Sequence, residues 1–114
     1  MHPPGLNDQA ERRTDRRFKA NFRVHWGREE GIQAEGEVSD LSVGGCFVIS
    51  GEKVKEGDLV SLRVEIPGDE TLTLLGTVVY WVSDTGFGVR FAAYSQGGAL
   101  DKLEMIIDGL EREN

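Results

Sequence analysis

From Phe18 onward the chain alternates. Phe22, Val24 and Trp26 are interleaved with Asn21, Arg23 and His25, a period of two that predicts a strand with one buried face. Residues 27–31 (Gly-Arg-Glu-Glu-Gly) read as a hairpin loop and residues 32–39 as the returning strand. Residues 46–49 (Cys-Phe-Val-Ile) form a short apolar run of the kind a buried strand makes. Residues 50–58 carry Gly51 and Gly57 and read as turn. Val60, Leu62, Val64 and Ile66 then alternate with Ser61, Arg63 and Glu65. Pro67, Gly68 and Asp69 turn the chain into residues 71–82, a long β-branched run in which Gly76 reads as a bulge or bend. A second turn over residues 83–86 leads to Phe87, Val89 and Phe91, alternating with Gly88 and Arg90.

The period changes near the C-terminus. Leu100, Leu103, Ile106, Ile107 and Leu110 recur at three- and four-residue steps, one face of a helix, with Ser95 as its N-cap. Gly97, Gly98 and Gly109 weaken it, since an interior glycine costs roughly 1 kcal/mol. The helix is therefore expected to depend on docking. Residues 1–11 are polar, contain two prolines and show no periodicity, the pattern of a flexible tail. Six strands on successive hairpins and one helix predict an all-β fold with a C-terminal helix, a six-stranded antiparallel β-barrel with the helix packed on it. The expected organisation is one domain over residues 12–114, with the barrel at 18–94 and the helix at 95–113. There is no internal repeat.

Composition changes this picture in one respect. A chain of 114 residues with 39% hydrophobic and 29% charged residues has room for one modest core. Its formal charge of −7 argues against bulk attraction to nucleic acid or an anionic membrane. The charge is uneven, however. Residues 11–28 hold seven of the 13 basic side chains against two acids, a local +5, leaving −12 for the remainder. A basic island in an acidic protein points to a small anionic ligand captured at one place. Arg12, Arg13, Arg16 and Arg17 supply most of it, as four arginines in six residues.

Other chemistry is sparse. The single Cys46 excludes an intrachain disulfide, fits a reducing compartment and reads as a small buried hydrophobe. His2 and His25 have no partner at metal or catalytic spacing, and no acid–base pair or nucleophile stands out, so an enzyme is not expected and no metal or cofactor is called for. The N-terminus lacks a basic-then-apolar leader pattern, and no apolar run approaches the roughly 20 residues that span a bilayer, which predicts a cytoplasmic protein. Arg63 and Arg90 read as surface salt-bridge residues.

Two motifs remain. The first is the arginine run, placed directly before Phe18. The second is Asp40-Leu41-Ser42-Val43-Gly44-Gly45. In this order and spacing they resemble the RxxxR and (D/N)xSxxG signatures of the PilZ family, receptors for the bacterial second messenger cyclic di-GMP. Residues 78–82 and 86–91 also resemble that family's last two strands, so the likeness covers roughly residues 11–112. Arg13 and Arg17 match the two RxxxR arginines, although Arg12 and Arg16 are also four apart. Asp40, Ser42 and Gly45 match the fixed positions of the second motif.

The resemblance implies a ligand site made of Arg12, Arg13, Arg16, Arg17, Asp40, Ser42, Gly44, Gly45 and Trp81. In the family the arginine segment folds over the barrel when ligand binds, while the Asp and Ser lie on the barrel surface and contact guanine. An arginine at the Arg12 position often accompanies two intercalated ligand molecules, so two cyclic di-GMP per site is the implied stoichiometry. The chemistry matches the residue types. Phosphates and the O6/N7 edge of guanine suit an arginine fork, and the N–H edge suits a carboxylate. Gly44 and Gly45 would let the backbone turn tightly and approach ligand. Trp81 is a candidate for stacking on a base, although core or rim packing is the favoured reading of this residue.

Asp15 departs from the all-basic pattern, and is placed either to repel phosphate or to pair with Arg16. The implied function is a non-enzymatic receptor that signals to an effector protein. Its first rival is an adaptor of the same fold that needs no ligand. A single-stranded nucleic-acid binder is disfavoured by the negative charge and by the lack of aromatics interleaved with basic residues.

Overall fold

The computed structural model describes residues 16–28, 34–68, 71–92 and 99–113. The described strands are β1 (Phe18–Arg28), β2 (Ala34–Leu41), β3 (Gly45–Ile49), β4 (Leu59–Val64), β5 (Leu72–Val82) and β6 (Gly86–Phe91), followed by helix α1 (Ala99–Glu113). All pairings are antiparallel and the sheet closes on itself in the order β1-β2-β3-β6-β5-β4. The expected all-β barrel with a C-terminal helix is the fold observed.

One topological expectation is corrected. The strands are not all joined as successive hairpins, because β3 pairs with β2 and β6 while β4 pairs with β1 and β5. Residues 50–58 therefore cross from one side of the barrel to the other. They carry Val54 into the core, where it is 3% exposed. Arg28 at the end of β1 pins this crossover. Its Nε donates to Asp58 Oδ2 at 3.2 Å and its Nη2 to the Lys53 carbonyl, while its guanidinium stands 6.0 Å from the Trp26 ring centre. The Asp58 carboxylate also accepts the Lys55 N–H at 2.9 Å. That backbone bond first, and Arg28 second, outweigh the opposing effect of desolvation and hold Asp58 below the ordinary carboxylate range.

The alternation read from sequence is the alternation of burial. Val24, Trp26, Val38, Val48, Leu62, Leu74, Val78 and Phe87 all point inward and are buried. Trp26 meets Phe87 edge to face, with ring centres 4.8 Å apart. Leu103 and Ile107 are the buried residues of α1, Ile106 and Leu110 pack partly against the core, and Met105 faces away at 72% exposure. The predicted apolar stripe from Leu103 to Leu110 is thus the docked one, while the Leu100 side chain lies outside the described residues. Ser95 falls outside the described residues, as do residues 1–15.

Gly76 is not a bulge. It pairs in register with Val60 and Phe91, and a Cβ there would overlap the Val89 side chain and crowd the Arg90 carbonyl. The actual irregularities lie in β1 between Lys19 and Phe22, in β2 between Val38 and Asp40, and in β5 between Val78 and Tyr80. Two of these bulges decide which side chains face outward at the candidate site.

Candidate functional site

The β2 bulge comes first. Strict alternation from the buried Val38 would turn Asp40 inward. The extra residue, Ser39, shifts the phase, so that Asp40 faces out and Leu41 faces in at 2% exposure. Asp40 then stands opposite Phe47 on β3 and Lys19 on β1. Phe47 stands opposite Gly88 on β6, and Gly88 opposite Tyr80 on β5. The β5 bulge at Val79 plays the same part there, turning Tyr80 outward. Lys19, Asp40, Phe47, Gly88 and Tyr80 thus form one row around the outer wall.

Arg17 reaches into this row. Its Nη1 donates to Asp40 Oδ1 at 2.9 Å, an ion pair whose partners are 42% and 32% exposed. The Tyr80 phenol is near enough to act on the charge of the same guanidinium. Partial burial acts to lower the Arg17 pKa, but Asp40 and Tyr80 together more than reverse it, so the charged form is favoured beyond its ordinary value. A part-exposed pair of this kind contributes about 0–1 kcal/mol to stability, so it opens at little cost.

Arg16 goes the other way. Its Nη1 lies 3.2 Å from Glu111 Oε2 on α1, and its guanidinium stands 5.1 Å from the Phe18 ring centre. Adjacent arginines therefore have separate roles: Arg17 faces Asp40, and Arg16 ties the entry of β1 to the helix. Asp15, the local acid in the motif, lies outside the described residues, as do Arg12 and Arg13.

Ser42 differs from its expected place on the barrel surface. It is 3% exposed, and its hydroxyl is engaged within the β2–β3 loop. Ser42 Oγ accepts the N–H groups of Gly44 at 3.2 Å and Gly45 at 3.0 Å, and donates to the Gly45 carbonyl at 3.2 Å. The Ser42 N–H also bonds the Gly45 carbonyl at 2.8 Å. The second motif is therefore a loop staple that fixes where Asp40 emerges.

The two glycines serve that staple without left-handed backbone, which among the described glycines belongs to Gly57 and Gly68. At Gly45 a Cβ would overlap the Val89 carbonyl oxygen of β6, so the requirement is close strand contact. Gly44 offers its carbonyl to the Phe91 N–H at 2.8 Å, tying the loop to β6.

Trp81 is 39% exposed but stands opposite the buried Phe87, one register position away from the Asp40 row. The structure brings Arg17, Asp40 and the Ser42–Gly45 staple together, and adds Tyr80 and Phe47, which sequence reasoning missed. The Gly86-Phe87-Gly88 spacing was the available signal, because outward glycines on β6 leave room for rings from both neighbours.

The expected surface salt bridges of Arg63 and Arg90 are absent among the described residues. Arg63 has His25 and Thr73 across from it, and Arg90 has Gly45 and Thr77, none of them acidic. His25 instead finds Glu65, with Nε2 2.7 Å from Oε2. Cys46 is buried as expected, and that burial, with the nearby Asp40 carboxylate, pushes its thiol up to about 12. Among the described residues no cluster of His, Cys, Asp and Glu could hold a metal ion, and no helix is long and apolar enough to cross a membrane.

With this geometry established, the relatives can be placed. The PilZ domain family model matches residues 11–109, nearly the whole chain. The chain belongs to the PilZ family. Solved structures share the fold at low identity. The PilZ domain of CeSA from a cellulose-synthesising bacterium is 21% identical, with 83% of this chain and 97% of that one covered and a TM-score of 0.65. The PilZ domain of YcgR from Escherichia coli, solved with cyclic di-GMP, is 17% identical, with 85% and 89% covered and a TM-score of 0.71. The Bacillus subtilis inhibitor of motility MotI (DgrA) is 18% identical, with 86% of this chain but 51% of that one covered and a TM-score of 0.62. No curated protein sequence matches this PilZ chain.

Proposed function

We propose that this PilZ protein is a non-enzymatic receptor for cyclic di-GMP, with Arg17 and Asp40 at the centre of the site. The observation that carries the reading is the 2.9 Å Arg17–Asp40 contact, which joins the two family motifs across 23 residues of sequence on an accessible outer wall. A guanidinium and a carboxylate side by side match what guanine offers, two acceptors on one edge and N–H donors on the other.

In this reading ligand enters by exchange. Arg17 leaves part of its contact with Asp40 for a phosphate or guanine edge, and the carboxylate is freed for guanine N–H groups. Arg13 completes the RxxxR pair and Arg12 favours a second, intercalated ligand. Ligand neutralises arginines that otherwise repel one another, so the arginine segment orders over the barrel when ligand is bound. The altered surface is read by an effector protein, in a bacterial process such as motility, pilus function or exopolysaccharide output. The ligand seen with the YcgR domain supports the ligand class.

The Arg17–Asp40 pair also favours one rival, an adaptor in which that contact is permanent and no ligand is taken. Calorimetric titration with cyclic di-GMP, using GTP as control, separates the two. Saturable binding with a ligand ratio near two is the expected result. A folded protein that takes up no cyclic di-GMP would overturn the receptor reading and favour the adaptor.

A further inference from the structure

Beside Arg17 and Asp40 lies a feature to which neither motif assigns a role. On the outer side of β6, positions 86 and 88 are both glycine, and an aromatic ring from each neighbouring strand leans over them. A Cβ at Gly88 would overlap the Tyr80 ring, and one at Gly86 would lie 2.9 Å from Phe47 Cε2. The two rings are inclined by only 28°, with centres 6.0 Å apart. They form a near-parallel stacked pair on the wall. Tyr80 is 38% exposed, although a ring that served only packing would be better covered. Phe47 is the cross-strand neighbour of Asp40, the carboxylate that holds Arg17 at 2.9 Å.

From this we infer that Tyr80, supported by Phe47 over the glycine-paved β6, is the stacking platform for one base of the ligand. The inference rests on the receptor reading and assigns a further ligand-binding residue to that site. A flat π-face beside a forked donor and a carboxylate is the arrangement that takes a planar heterocycle and reads its edge. Stacking is tolerant of base identity, so in this division Tyr80 supplies affinity while Arg17 and Asp40 supply the preference for guanine. The β5 bulge is what makes the assignment Tyr80 and not Trp81. Without the extra residue, Val79 would take the place opposite Gly88, and Tyr80 would turn inward opposite Phe87.

The test is a calorimetric titration of cyclic di-GMP into the unaltered protein, Tyr80→Leu and Tyr80→Phe, with thermal melting to establish that each is folded. Tyr80→Leu removes ring and phenol and is expected to weaken binding by roughly tenfold or more, the range of a lost base–aromatic stack. Tyr80→Phe keeps the ring and should recover most of that loss. Gly88→Val, which displaces the ring while leaving Tyr80 in the sequence, should weaken binding as Tyr80→Leu does. Tyr80→Leu binding as tightly as the unaltered protein would overturn the assignment while leaving the receptor reading intact. Equal weakening by Tyr80→Phe and Tyr80→Leu would overturn stacking as the source of affinity. Failure of the unaltered protein to bind would overturn the receptor reading, and this inference with it.

Discussion

Two faces of the barrel carry arginines beside carboxylates, and they are built differently. On the β2–β3–β6–β5 face, Arg17 is held at 2.9 Å from Asp40, beside two rings lying over glycine. On the β1–β4 face, Arg23, Arg63, His25 and Glu65 border an open depression of about 570 Å³ floored by Phe22, Ile66 and Pro67. There the carboxylate of Glu65 takes His25 at 2.7 Å, and neither arginine forms an ion pair among the described residues. Side chains free to move must be ordered by any ligand they bind, which costs affinity. A donor already fixed beside its acceptor avoids most of that cost. Charge clustering is thus shared by both faces, while preorganisation and an aromatic floor belong to one.

This contrast orders the expected effects. The largest is at Arg17. Arg17→Ala removes a charge-assisted fork and should weaken cyclic di-GMP binding by about a hundredfold, measured by calorimetry. Next comes the staple beneath Asp40. Ser42→Ala leaves the Gly44 and Gly45 N–H groups without their side-chain acceptor and should lower stability by about 1–3 kcal/mol in denaturant unfolding. Its binding loss should be smaller than that of Arg17→Ala, because Ser42 acts through the loop. Gly45→Ala, whose methyl would overlap the Val89 carbonyl oxygen, should destabilise by a similar amount.

On the other face, Arg23→Ala and Arg63→Ala should each change binding by less than about twofold and stability by less than about 0.5 kcal/mol. The smallest effect is at Asp58, which lies on neither face. Its folded-state pKa is depressed, so its contribution is complete above the ordinary carboxylate range and is lost as pH falls through and below that range. Acid melting profiles of Asp58→Asn should therefore fall less steeply than those of the unaltered protein.

Much of this was legible in the sequence. Period-two alternation, a short apolar run, a β-branched run and turn residues marked six strands, the three-and-four spacing marked the docked stripe of α1, and the two motifs marked Arg17 and Asp40. What was hidden has physical causes. A bulge adds one residue without leaving a mark in hydrophobic alternation, so the outward placement of Tyr80 in place of Trp81 could not be read from β5 alone. The burial of Ser42 depends on how the loop closes on β6 through Gly44 and Gly45. Arg16 and Glu111 are 95 residues apart and meet only because α1 returns to the start of β1. The partner of His25 was hidden in the same way, since Glu65 is brought beside it by β1–β4 pairing.

The most direct test sets the two faces against each other in one titration of cyclic di-GMP into the unaltered protein, Arg17→Ala and Arg23→Ala. The account predicts saturable binding that Arg17→Ala abolishes or weakens about a hundredfold and that Arg23→Ala leaves within about twofold. Equal losses in the two variants would mean that general positive charge, and not the Arg17–Asp40 geometry, holds the ligand, and would contradict the account.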